Sequence, residues 1–342
     1  HVELAGFPHH ALETYLPRLV RAGKRVAICD QLEDPKQTKK LVKRGITELV
    51  TPGVAVSDNV LENKENNYVA AVSFAKERMG VAFLDLSTGE FATTEGNAAL
   101  VDKLLAGYRP KEILVERSTR LLYDSQLTYR TYIFEADDWL FIPSNNQERL
   151  LRHFAVRNFK GFGLEGMESA VTAAGAILHY LDLTQHNELG HITSLHRIDE
   201  EQYVRIDGFT ARSLELLTTM NPEGCSLKDI LDRTYTPMGA RLLRQWIAFP
   251  LKSVAAIEER QSVVRALVDD AQARFVLEEH LREMGDLERT ASKVSMKRIS
   301  PREMVHLADA LTALEPIKKV AEESACPSLQ ALGKELAPCT EL

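Results

Sequence analysis

The sequence has no apolar run near the roughly 20 residues that cross a bilayer, so no membrane-spanning helix is expected. It has only four cysteines, Cys29, Cys225, Cys326 and Cys339, in 342 residues. That scatter excludes a disulfide framework. The one closer pair, Cys326 and Cys339, lacks both zinc-site spacing and a second dyad, and reduced thiols in a cytoplasmic protein are expected. An excess of positive charge is missing too: 42 Lys and Arg face 49 Asp and Glu, for a net charge of −7. A globally basic nucleic-acid binder is thereby excluded, though a local basic surface is not. The first 20 residues have no apolar core and carry His1, Glu3, His9, His10 and Glu13, so no secretory signal is expected. No G-x-x-x-x-G-K-[ST] phosphate loop and no G-x-S-x-G nucleophile motif occurs.

What is present reads as an ordinary globular composition, long enough for two or three domains. Residues 10–22, "HALETYLPRLVRA", space Leu12, Tyr15, Leu16, Leu19 and Val20 as one face of a helix that Gly23 ends. "KRVAICDQ" and "ITELVTPGV" read as strands, and this first α/β unit has too few elements to complete a sheet. The first residue is His1 rather than Met, which suggests a piece of something longer.

A polar stretch, "SDNVLENKENN", marks a boundary at residue 57. Strands "YVAAVSFA", "VAFLDLS" and "EFATTE" follow, then helix "AALVDKLLAGY", strand "EILVER" and a long apolar helix over 168–185. Three strands, a helix and a strand open an RNase H-like mixed sheet, although periodicity admits other α/β sandwiches. From about Gly208 the pattern is helix after helix, amphipathic and laced with charges at i,i+4. Thr236-Pro237 and Ser300-Pro301 are helix starts, and "ARFVLEEHLREMGDLERTASKV" reads as one continuous run.

Four features could carry chemistry. Lys36, Lys39, Lys40, Lys43 and Arg44 form a basic run with no acid, which fits either a nucleic-acid backbone contact or a solvated helix face. His9 and His10, at the start of the first helix, could meet a phosphate or be plain surface histidines. "GFGLEG" from Gly161 matches G-x-G-x-x-G, yet helix and basic turn precede it where a strand is required, so a helix-to-helix connection is expected. Asp85, inside "GVAFLDLSTGEF", could anchor a nuclease metal or accept hydrogen bonds from the turn beside it. Its place on the second strand and the lack of an acid on the first favour the turn. His179, in an apolar helix, is expected to be a core or interface residue, and no metal site is expected.

Seven colinear blocks carry a family resemblance. "AGFPHHALETYLPRLVRAGKRVAICDQLEDP", "RGITELVTPGV", "GVAFLDLSTGEF", "NFKGFGLEG", "DGFTARSLELL", "LDRTYTPMGARLLRQWIAFPL" and "MGDLERTASKVSMKRISPREM" resemble the MutS family of DNA mismatch-recognition proteins. The resemblance implies a multidomain α/β plus all-α chain. Residues 1–56 would be the rear of the mismatch-recognition domain, 57–186 an RNase H-like connector without nuclease activity, and 187–342 the first segment of a helical core or lever domain. It also implies that the mismatch wedge precedes His1, and that the clamp and the ATPase domain with its ATP and Mg2+ follow Leu342. No catalytic residue and no cofactor is then expected here, so this piece is expected to be no enzyme, whereas the parent would be a DNA-dependent ATPase. The implied partners are mismatched double-stranded DNA, MutL at the connector, and a second subunit of a homodimer formed through the ATPase domains. The piece itself would be monomeric, and the location cytoplasmic and nucleoid-associated. The resemblance adds weight to Lys36–Arg44 as a DNA-backbone surface. The alternatives are a metal-dependent nuclease centred on Asp85 and a helical protein-docking scaffold.

Overall fold

A computed structural model describes residues 5–33, 42–76, 78–221 and 223–339. The chain divides into two compact units, His1–Ile198 and Asp199–Leu342.

The first unit opens with α1 (Leu12–Arg21), which turns Leu16 and Val20 inward. Gly23, at φ +74°, adopts the left-handed conformation that reverses the chain. β1 (Val26–Gln31) and β2 (Arg44–Val50) then pair as an antiparallel ribbon, from Val26 opposite Val50 to Gln31 opposite Arg44, with a bulge between Ile28 and Cys29. The ribbon and α1 close over a small core of Leu16, Val20, Val50, Ala55, Val60 and Leu61. Val60 and Leu61 lie beyond the boundary at 57, so the stretch after it packs back onto the segment before it.

A separate six-stranded sheet follows, built from β3 (Tyr68–Phe74), β4 (Met79–Asp85), β5 (Glu90–Gly96), β6 (Glu112–Glu116), β7 (Tyr132–Ala136) and β8 (His196–Arg197). Its order is β7-β6-β3-β4-β5-β8. β3, β4 and β5 are antiparallel neighbours; β6 runs parallel to β3, β7 to β6 and β8 to β5. Every residue of β4 is buried, the pattern of a strand covered on both faces. On one face, Gly80 lies against Ser169 at the start of α5 (Glu168–Leu183). On the other, Phe83 stacks on Tyr108, the last residue of α2 (Ala98–Tyr108), at 4.2 Å between ring centroids.

Two helices, α3 (Arg120–Gln126) and α4 (Pro143–His153), flank β7 in sequence. The sequence reading missed β7 because "YIFEA" is short and only half-buried, without clear alternation. The unit also runs past residue 187, where the reading began the helical part. β8 adds two residues to the edge of β5 through Ala92–His196 and Thr93–Arg197 pairing, and the units part after Ile198.

The second unit holds α6 (Gly208–Ser213), α7 (Leu227–Leu231), α8 (Pro237–Ala248), α9 (Val254–Asp269), α10 (Ala271–Glu283), α11 (Leu287–Ser295), α12 (Pro301–Glu323) and α13 (Pro327–Glu335). Both expected helix starts are present. The Thr236 hydroxyl accepts from Gly239 N, and Ser300 and Glu303 form a reciprocal capping box with Pro301 at the first helical position. The run read as continuous is instead two helices. Gly285, at φ +64°, ends α10, and the Asp286 carboxylate caps α11 by accepting from Arg289 N. Met284, Ala310 and Ile317 form a small core here, with Leu277, Leu281 and Leu314 against them.

Candidate nucleic-acid interface

β2 starts at Arg44, and one step beyond it Lys43 O accepts from Leu32 N at 2.9 Å. The side chains of Lys43 and Arg44 are therefore carried, exposed, at one end of the β1–β2 ribbon. His9 and His10 lie in the short turn of helix before α1, both exposed. Nε2 of His9 is 3.4 Å from Oδ1 of Asp30, which stands on β1 opposite Gly45. Asp30 is held in turn by the Thr47 hydroxyl at 2.6 Å. The fold thus gathers His9, Lys43 and Arg44 at one ribbon end, with His10 adjacent to His9 in the chain. Lys36, Lys39 and Lys40 lie outside the described residues. Exposed cations at the end of a ribbon suit charge pairing with phosphate oxygens, a contact that reads no base sequence. Leu32 and Ile46, both more than half exposed, share this end of the ribbon.

Asp85 has an opposite setting: it is fully buried. Its Oδ1 accepts from the amide (3.0 Å) and hydroxyl (2.6 Å) of Ser87, and its Oδ2 from Asn66 Nδ2 (3.0 Å) and the Asn67 amide (3.1 Å). Its backbone oxygen takes the Gly89 amide at 2.8 Å, closing the turn to β5. Four donors fill the lone pairs of the carboxylate, leaving none to hold a cation. The turn reading of Asp85 stands on these bonds.

"GFGLEG" also takes the plain form. Lys160–Phe162 is a single turn of 3-10 helix, and the motif connects α4 to α5 with no strand before it. His179 packs edge-on to Trp139 at 5.8 Å, and its Nδ1 is 3.9 Å from Asp182 Oδ2. Burial holds its imidazole below the ordinary range despite that carboxylate.

One acid was overlooked in the sequence. Glu112, first residue of β6, is fully buried. Its Oε2 accepts from Thr51 Oγ1 and from the Gly53 amide at 2.9 Å, and its Oε1 from the Tyr180 hydroxyl at 2.6 Å. Burial pushes its carboxyl above the usual range, against the opposing pull of these bonds and of Arg25. The available signal was an acid heading the strand "EILVER", whose other early residues are apolar.

Three family models match the chain in order: MutS domain I over residues 1–59, MutS domain II over 67–193 and MutS domain III over 209–341. Among curated relatives, one from Porphyromonas gingivalis is 61% identical over all of this chain and 38% of its own length. Another, from Parabacteroides distasonis, is 56% identical over 99% of this chain and 39% of its own. A third, from Cytophaga hutchinsonii, is 48% identical over 99% and 40%. All three carry the name DNA mismatch repair protein MutS.

The chain belongs to the MutS family.

It spans about two fifths of the length of the curated relatives it matches. The ribbon end with His9, Lys43 and Arg44 falls in the MutS domain I match, whereas Asp85 and Glu112 fall in the domain II match. The helices from Phe209 onward fall in the domain III match. No helix among the described residues is long and apolar enough to cross a membrane.

Proposed function

We propose that this chain is the DNA-side part of a mismatch-repair protein that binds mismatched duplex and couples binding to ATP in a domain this chain does not include. The observation that carries the reading is the colinear match of MutS domains I, II and III to relatives named DNA mismatch repair protein MutS. Residues 1–56 belong to the mismatch-recognition domain, 57–186 to the connector and 187–342 to the helical core or lever. The connector is RNase H-like. Three antiparallel strands followed by a helix and a strand that returns parallel beside the first support that assignment. His9, His10, Lys36, Lys39, Lys40, Lys43 and Arg44 contact the DNA backbone, and the exposed ribbon end supports the four of them that are described.

The connector docks MutL, and the parent forms a homodimer and works in the cytoplasm on the nucleoid. This piece is monomeric and hydrolyses no ATP; ATP and Mg2+ bind in the ATPase domain of the parent. The bonds that fill the Asp85 carboxylate count against the nuclease alternative.

Titration of the full-length parent against a duplex with one mismatch and its fully paired counterpart, at one stated salt concentration, tests the reading. Tighter binding of the mismatched duplex is expected; equal binding of both sinks it.

A further inference from the structure

We propose that Glu112 is a positioning residue: a buried pin that holds the domain I segment on the connector and so fixes where the ribbon end bearing Lys43 and Arg44 sits. The consequence for DNA rests on the ribbon end being DNA-facing, as proposed above; the pin itself does not.

The segment needs such a pin. A two-stranded ribbon is at best marginally stable by itself, and β1–β2 forms a sheet separate from the six-stranded sheet that follows it. Besides the small core it shares with Val60 and Leu61, its place depends on connections at the end of β2 and just after it. Leu49 N donates to Thr184 O at 3.1 Å, and Glu48 Oε1 is 3.3 Å from Nε2 of the buried His186. Thr51 and the Gly53 amide then reach Glu112, which the Tyr180 hydroxyl approaches from α5. The guanidinium of Arg25, just ahead of β1, lies 4.5 Å over the Phe134 ring on β7. One carboxylate thus accepts two donors from the segment and one from the connector, with a cation of the segment nearby.

The contact is lopsided. Beside Glu112 the chains meet closely: a Cβ on Gly53 would stand 2.8 Å from Glu112 Cβ and 2.9 Å from Val69 Cβ. A few residues away, Val20, Gly23, Pro52, Asn66, Lys111 and Tyr132 line a cavity of about 470 Å3. Segment and connector are therefore clasped on one side and open on the other, so loosening the clasp leaves the segment room to shift.

Filling space in a buried strand does not require an acid, since an apolar side chain of similar size avoids the cost of desolvating charge. A buried carboxylate with three donors aimed at it instead specifies one arrangement of its partners, because any other arrangement leaves donors or charge uncompensated.

Hydrogen–deuterium exchange on the 342-residue chain tests the pin with Glu112→Leu, Glu112→Gln and Thr51→Val. With leucine, amides of β1 and β2 exchange about tenfold faster while β3, β4 and β5 keep their protection. Glutamine retains an oxygen acceptor and restores most of the ribbon's protection, which a residue that merely filled volume would not require. Wild-type protection of the ribbon in Glu112→Leu overturns the proposal, as does an equal loss across β3–β5. If the leucine variant does not fold, Thr51→Val, which leaves every connector side chain in place, decides: about threefold faster exchange confined to the ribbon supports the pin, and no change overturns it.

The same substitutions in the full-length parent test the consequence. Glu112→Leu is expected to lower the mismatch-over-paired preference about fivefold and Glu112→Gln to retain it. An unchanged preference with a fast-exchanging ribbon overturns the positioning role. A wild-type parent without any preference sinks the mismatch reading, and the exchange result still judges the pin.

Discussion

A Cβ on Gly80 would stand 1.9 Å from the carbonyl oxygen of Ser169. β4 and the first turn of α5 meet there backbone to backbone, and the Thr93 hydroxyl bridges the same place by donating to Val81 O (2.9 Å) or Ala170 O (3.0 Å).

Gly80→Ala must push helix and sheet apart. Overpacking of this kind costs about 1–3 kcal/mol. Urea unfolding is expected to show a lower midpoint with an unchanged slope. An unaltered midpoint would mean that α5 slides off β4 freely.

Asp85→Asn replaces one acceptor with an amide donor among groups that already donate. Leaving one or two buried donors unanswered costs about 1–3 kcal/mol, read as a lower thermal unfolding temperature. Metal-dependent nuclease activity in the wild type, lost in this variant, would revive the alternative that the Asp85 bonds oppose.

Opposite pH trends should be separable. Burial holds His153, His179 and His191 below the ordinary imidazole range. The unfolded chain therefore takes up protons near pH 6.5 that the folded chain resists, and this stability is lost as pH falls from about 6.5 toward the folded values. The Glu112 carboxyl is raised instead, by burial. Its contribution is full below the ordinary carboxylate value of about 4.3 and is lost as pH rises through the folded value. Stability of the wild type relative to Glu112→Gln should thus decline with rising pH, while both proteins share the histidine-linked loss on acidification. Urea midpoints from pH 4.5 to 8, spaced by about half a unit, check both signs.

In the second unit, Arg241 is nearly fully buried and makes a paired contact with Asp286, at 2.7 and 2.8 Å, plus a 2.6 Å bond to Glu288. Arg241→Met leaves Asp286, which is largely buried and also caps α11, without that cation. Breaking a buried pair from one side costs about 3–5 kcal/mol. The loss should appear in denaturant unfolding, accompanied by faster exchange at the start of α11.

Replacing Lys43 and Arg44 with alanine in the full-length parent removes two charges from the ribbon end. If both touch phosphates, the slope of log K against log salt becomes shallower by about 1.8, at roughly 0.9 per phosphate. An unchanged slope would take both residues off the DNA.

Long, periodic and well-punctuated elements were legible in the sequence. α2 spans the eleven residues of "AALVDKLLAGY" as read, and Thr236-Pro237 and Ser300-Pro301 start helices because a hydroxyl cap followed by proline leaves few alternatives. The turn role of Asp85 was legible because its main partner, Ser87, is two residues away. What stayed hidden depends on distant partners. β7 exists because β6 offers it an edge, β8 because β5 does, and neither has a periodicity of its own. Glu112 looks like any acid at a strand start until Thr51, 61 residues earlier, and Tyr180, 68 residues later, fold onto it. The break at Gly285 was visible as a residue but was outvoted by the helical pattern on either side.

α12 carries Pro316 well inside its 23 residues. A proline there has no amide hydrogen to give the carbonyl of Thr312, and its ring crowds that turn. On either side, the inward face is set by Ala310, Ala313, Ile317 and Ala321, mostly small side chains that tolerate a change of angle without opening a large void. Any bending of this helix, about 34 Å from end to end, is therefore easiest at Pro316.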